Sequence, residues 1–135
     1  MPGSQRQFSA KLLLQFRVRW GRSSNQRRVC EERVVTFKAR SAESAWKTAN
    51  RLGNAADFKY RNHAGSTVHF EFVGIMELLE LGVERSGPEE VWYDIVERVK
   101  PSERKSLFIP RKQDLQAFAG ISLRQRAPRV ARSRR

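Results

Sequence analysis

Cysteine and histidine are scarce in this chain: Cys30 is its one thiol, and His63 and His69 are its two imidazoles. A lone cysteine forms neither an internal disulfide nor a cysteine-built metal site. His63 lies in a turn at residues 62–65 and His69 six residues on, across the hairpin, with no third ligand at metal spacing, so no metal or other cofactor is expected. Long apolar runs are missing too. The longest candidate, residues 68–81, is interrupted by His69, Glu71, Glu77 and Glu80, and a membrane span needs ~20 apolar residues. The opening MPGSQRQFSA has no hydrophobic core of signal-peptide length. A cytoplasmic protein without membrane contact is the expectation. Phosphate-binding loops and nucleophile–base signatures are likewise absent.

Acidic residues are missing from one region in particular. The 135 residues hold 27 Lys and Arg against 14 Asp and Glu, a net of +13. Residues 1–99 hold 16 basic and 12 acidic side chains, whereas residues 100–135 hold 11 and 2. The body is nearly balanced, and most of the excess lies in the last quarter. With 39% apolar and 30% charged residues, the remainder has the composition of an ordinary globular protein.

Within that body the alternation is clear. In FSAKLLLQFRVRW (residues 8–20), Leu12, Leu14, Phe16, Val18 and Trp20 share one phase, the period of a strand with one buried face. GRSSNQRR supplies a turn. RVCEERVVTFKA (residues 28–39) places Val29, Val35, Phe37 and Ala39 in phase, so a hairpin is expected. Ser41 reads as a helix N-cap, with Glu43 in the first turn. Ala42, Ala45, Trp46, Ala49 and Leu52 follow at helical spacing, and Gly53 with Asn54 reads as the stop. A short strand at residues 58–61 and a turn lead into STVHFEFVGIMELLELG (residues 66–82). This reads as a long central strand, kinked at Gly74, with Val68, Phe70 and Phe72 facing the helix and His69 and Glu71 facing water. VWYDIVERV (residues 91–99) fits both a strand and a helix; its β-branched and aromatic content favours the strand. The fold class expected is α+β: a single twisted antiparallel sheet, β-β-α-β-β-β, with one helix on one face. Residues 8–100 form the compact part, 101–119 an extension with room for a short helix, and 120–135 a disordered, arginine-rich tail.

AKLLLQF (residues 10–16), EERVVTFKARSAESAWKTA (31–49) and VHFEFVGIMELLEL (68–81) together resemble the small bacterial proteins grouped as domain of unknown function 4288. The resemblance covers residues 8–99. It implies an α+β fold with an antiparallel sheet and one helix, and it implies no activity.

Three functions follow from these residues. The preferred one is a non-enzymatic binding module whose tail contacts nucleic acid or an acidic protein through Arg124, Arg126, Arg129, Arg132, Arg134 and Arg135, since guanidinium groups grip phosphates and carboxylates bidentately. The second is a protein-interaction module, immunity- or antitoxin-like, that uses an exposed sheet face around Trp92, which as part of a strand points outward with Asp94. The third is an enzyme built on His69 and Glu71, about 7 Å apart on one strand face, with Asp94 or Glu97 as a further carboxylate. Trp20 and Trp46 read as core, and Cys30, with Glu31 and Glu32 offsetting the arginines nearby, as a structural residue.

Overall fold

Alternation over residues 6–20 becomes β1 (Arg6–Trp20), which turns back through the two-residue β2 (Ser23–Ser24) into β3 (Arg27–Ala39). The computed structural model describes residues 5–83 and 92–119. After β3 come α1 (Ala42–Ala55), β4 (Phe58–Arg61), β5 (Thr67–Val83) and β6 (Trp92–Val99), then two 3₁₀ turns (Lys105–Leu107 and Lys112–Asp114) and α2 (Gln116–Ala119). All pairings are antiparallel, in the order β4-β5-β1-β3-β6, with β2 on β1. The α+β sheet with a helix on it is the one expected, and residues 92–99 are strand. The centre of the sheet is β1, however, not β5. β4 covers β5 only at residues 67–70, so the rest of β5 runs along the sheet margin.

One face carries the larger core. Phe8, Ala10, Leu12 and Leu14 of β1 are buried beside Phe37 and Ala39 of β3 and Phe70, Ile75 and Leu78 of β5. α1 lies on this layer through Ala45, Ala49 and Gly53. Ser41 caps it, accepting a hydrogen bond from the Ser44 amide at 3.1 Å. Gly53 does not end the helix, which runs on to Ala55. It is there for proximity: a Cβ on Gly53 would stand 2.5 Å from ring carbons of Phe72.

β5 is 17 residues long, beyond the usual strand, and it holds its pairing by register shifts. Phe72 opposes Leu14, Gly74 opposes Leu13, Ile75 opposes Leu12 and Glu77 opposes Lys11. Val73 and Met76 are thus extra residues, each a bulge that reverses the phase. The first bulge turns Ile75 toward the helix and Gly74 away, opposite to simple alternation; the second restores the phase, so Leu78 faces the helix as expected. Val73 and Met76 join Leu13 and Cys30 in a second cluster on the other face.

That second face is covered by residues 101–109. Phe108 lies under Arg98, 4.8 Å from guanidinium carbon to ring centroid. Ile109 packs on Gly74, where a Cβ would meet it at 3.0 Å. Here the chain crosses the β5 margin to the helix side. Lys112 sits 4.3 Å above the Trp46 ring, Leu115 enters the main core, and Gln116 Oε1 accepts a hydrogen bond from the Glu80 amide at 2.9 Å.

Gly53→Ala tests the α1–β5 approach. The substitution gains up to ~1 kcal/mol of helix propensity, but overpacking a filled site costs about 1–3 kcal/mol. Urea denaturation is expected to show a net loss of about 1 kcal/mol, recovered when Phe72→Leu is added. A single variant as stable as wild type would mean that the ring gives way freely.

Candidate functional site

His69 and Glu71, the first two residues that a catalytic reading would use, lie on the face opposite α1 in one polar network. His69 is held between two carboxylates: Nε2 lies 2.7 Å from Asp57 Oδ1 and Nδ1 lies 3.2 Å from Glu71 Oε2. Glu71 Oε1 accepts a hydrogen bond from Gln15 Nε2 at 2.6 Å and lies 3.4 Å from Arg17 Nε. Arg17 donates to Ser102 Oγ at 2.8 Å and pairs with Glu103 at 3.0 Å. Ser102 Oγ in turn donates to Glu103 Oε1. The expectation of a wet face is corrected here: the His69 side chain is 14% exposed and that of Glu71 18%, because neighbouring strands and residues 102–103 close over them.

At the end of this row lies Arg28, with a side chain 0% exposed. Its NH1 and NH2 grip Glu103 Oε1 and Oε2 at 2.7 and 2.8 Å. Nε donates to Asn25 O at 2.7 Å, NH1 also to Gln15 Oε1 at 3.1 Å, and NH2 to Ser24 Oγ at 3.1 Å. The bidentate fork and the extra acceptors are what a buried guanidinium requires. A second pair stands beside it: Arg98 on Glu32, with Lys11 Nζ 3.4 Å from Glu32 Oε1. Burial pushes the Glu32 carboxyl up, but the hydrogen bond and charge of Arg98, with Lys11, bring it net below the usual carboxylate range.

Asp94 and Glu97 do not join His69. They belong to β6 on the far margin, three strands from β5, because the β1–β3 pair lies between; three strand spacings are about 14 Å. His69 pairs across the sheet with Lys59, and His63 stays in the turn. Among the described residues no group of three His, Cys, Asp or Glu side chains is placed to hold a metal. Cys30 is buried, and burial pushes its thiol up to about 11, with the Arg98 charge opposing. Trp46 packs on the core. Trp20 does not; it is 53% exposed, because β1 runs past the end of α1. Trp92 opposes Val34 in the β3–β6 ladder, but its side chain lies outside the described residues, as do Arg124, Arg126, Arg129, Arg132, Arg134 and Arg135.

Arg17, Arg28, Gln15 and Glu103 are missed by sequence reasoning, which assigns the polar phase of each strand to water. One signal was present. Leu13, Cys30, Val73 and Val96 interrupt that phase, and LFI at residues 107–109 is the apolar segment able to cover them. A cavity of ≈360 Å³ opens where this segment crosses to α1, between Trp46, Asn50, Phe72, Lys105, Ile109 and Lys112. Lys112 there is engaged by Glu43 at 2.7 Å. No helix among the described residues is long and apolar enough to cross a membrane.

A family model described as domain of unknown function (DUF4288) matches residues 7–92. Among curated proteins and solved structures, none matches the chain.

Two measurements test the network. Hydrogen bonds from Arg28 hold the Glu103 carboxyl at about 2 against an ordinary 4.5, with burial opposing. The folded value lies below the unfolded one, so the stabilisation is complete above the ordinary value and lost as pH falls toward the depressed one. Glu103→Gln is expected to cost about 1–2 kcal/mol at neutral pH. That is less than the ~3–5 kcal/mol of fully buried pairs, because the carboxylate is partly exposed and screened. The gap from wild type should close as pH falls to the depressed value; a gap that stays constant contradicts the assignment. For Cys30, a disulfide reagent at neutral pH should react only as fast as the chain opens, and immediate stoichiometric labelling of native protein would place the thiol at the surface.

Proposed function

The chain belongs to the family described as domain of unknown function (DUF4288), and on that footing we propose that it is a cytoplasmic, non-enzymatic binding module that contacts nucleic acid through its basic C-terminal residues. The observation that carries this reading is the distribution of charge. Residues 100–135 hold 11 basic side chains and two acidic ones, and those acids, Glu103 and Asp114, are engaged by Arg28 and Arg111. Six of the arginines fall in residues 124–135, and a run of that kind displaces condensed counterions from a polyanion without reading its sequence.

The chemistry around His69 supports the non-enzymatic part. Nε2 is engaged by Asp57, and Nδ1, which makes no hydrogen bond, is turned toward Glu71 inside the network, where the imidazole is 14% exposed. Ser102, the hydroxyl of the network, is bonded to Arg17 and Glu103 and not to the imidazole. A general base needs its substrate within hydrogen-bond reach, and this arrangement spends that reach on neighbouring side chains.

Removal of residues 120–135 tests the reading. Six phosphate contacts on duplex DNA correspond to a slope of about −5 in log K against log salt. The shortened chain is expected to elute earlier from immobilised duplex DNA, with a slope flatter by roughly that amount. Unchanged retention and slope would remove the tail from the mechanism. Competition by polyglutamate as efficient as by DNA would identify an acidic protein as the partner instead.

A further inference from the structure

α1 covers only part of the sheet. Beyond Leu14 the helix-facing layer continues past it, and the side chains there are aromatic. Phe16 and the buried Phe70 pack with ring centroids 4.6 Å apart, and Phe58 lies on Phe70 at 5.1 Å. Phe58 and Tyr60 stack at 6.0 Å with planes 25° apart. These inner rings form a base. Above it Phe58 is 48% exposed and Tyr60 46%. Two strands away, about 10 Å by strand spacing, Trp20 continues the phase of Phe16 and Val18 and is 53% exposed. The rings are held by strand pairing, Phe58 opposite Phe70 and Tyr60 opposite Val68, so they are fixed in place before any ligand arrives.

The charge around these rings is mostly positive, with Asp57, beside Phe58, the exception. Lys59 alternates with Phe58 and Tyr60, and Arg19 with Trp20, so both leave the sheet on its other face and reach the rings only around the margin, while Arg22 lies in the turn after Trp20; all three cations are exposed. Among the described residues none of the three has a carboxylate partner. Two of the acids at this end are on arginines already, Glu97 on Arg27 and Glu103 on Arg28, and Asp57 is hydrogen-bonded to His69. Exposed π-faces beside unneutralised cations match a polyanion whose flat groups are unpaired, and stacking of that kind tolerates any base. A duplex keeps its base faces inside and offers this surface only phosphate.

We propose that the margin formed by β4 and the ends of β1 and β5 binds single-stranded nucleic acid, with bases stacking on Tyr60, Phe58 and Trp20 and phosphates on Lys59, Arg19 and Arg22. This rests on the reading of the chain as a nucleic-acid-binding module and deepens it. The tail attracts any nucleic acid, whereas the rings select for unpaired bases.

The test uses the full chain and two fluorescent probes, a short oligothymidylate and a duplex of equal length, with binding followed by anisotropy. Tyr60→Ala and Trp20→Ala should each weaken the single strand by about 5- to 150-fold, the loss of one stacked base, and leave the duplex within about twofold. Tyr60→Phe should retain wild-type affinity, since it keeps the ring, and circular dichroism checks that each variant is folded. Equal losses on both probes, no loss on the single strand, or failure of the wild-type chain to bind it would each overturn the proposal. The two readings separate cleanly. Unchanged duplex binding after removal of residues 120–135 defeats the tail and leaves the rings; unchanged single-strand binding in Tyr60→Ala and Trp20→Ala does the reverse.

Discussion

A guanidinium without access to water is the constraint around which this molecule is arranged. Arg28 sits at 0% exposure in the sheet, where an uncompensated charge costs several kcal/mol. Its partners come from three separate places: Gln15 in β1, Ser24 and Asn25 in the turn before β3, and Ser102 and Glu103 beyond β6. No local stretch could satisfy it. The chain after β6 therefore has to return over the sheet. It does so by a tight reversal in which Lys100 takes a φ of 46°, its amide bonds to Gln26 O at 2.6 Å and Pro101 is buried. A left-handed lysine is an uncommon conformation, and here it coincides with the point where the chain turns onto Arg28.

Once residues 101–104 are fixed, the rest of the extension follows. Phe108 is delivered under Arg98 and over the small cluster of Leu13, Cys30 and Val73. Ile109 reaches Gly74, where β5 has no side chain to obstruct it, and passes over the margin. Lys112, Leu115 and Gln116 then engage Trp46, the main core and the β5 backbone in turn. The sheet is thus covered in part on both faces, by a helix on one and by a mixed polar and apolar strap on the other. Arg17 and Arg28 are engaged by this strap, and His69 and Glu71 are enclosed by Asp57, Gln15 and Arg17. Their ion pairs are best understood as the means by which polar strand residues tolerate being covered.

Much of the architecture was legible because it rests on local rules. Two phases of alternation locate β1 and β3, a serine followed by alanines at helical spacing locates α1, and β-branched residues identify β6. The errors have a common cause, which is that periodicity says which residues share a face but not what lies on it. The polar phase was assigned to solvent, although residues 101–109 bring their own carboxylate and aromatic ring to it. Gly53 read as a terminator because glycine commonly ends helices, yet the ring of Phe72, distant in sequence, is what excludes a side chain there. Ile75 faces the helix against simple alternation, because the bulge at Val73 reverses the phase and the one at Met76 restores it for Leu78. Trp20 read as core because an in-phase strand position does not reveal where the covering helix stops. The imidazole between two carboxylates was half visible: Glu71 is two residues from His69, but Asp57 reaches it only through the pairing of β4 with β5.

The crossing at Gly74 also bears on the order in which the molecule can be made. A chain synthesised from its N-terminus has β1, β3, α1 and β5 in hand while the second face is still bare and Arg28 still lacks its carboxylate. Nothing before residue 103 can neutralise that charge in the way Glu103 does, and nothing before residue 109 can fill the space above Gly74. The nascent sheet is therefore a provisional object, vulnerable to whatever else in its surroundings offers an anion or an apolar segment, until residues 101–116 follow the strands and seal it.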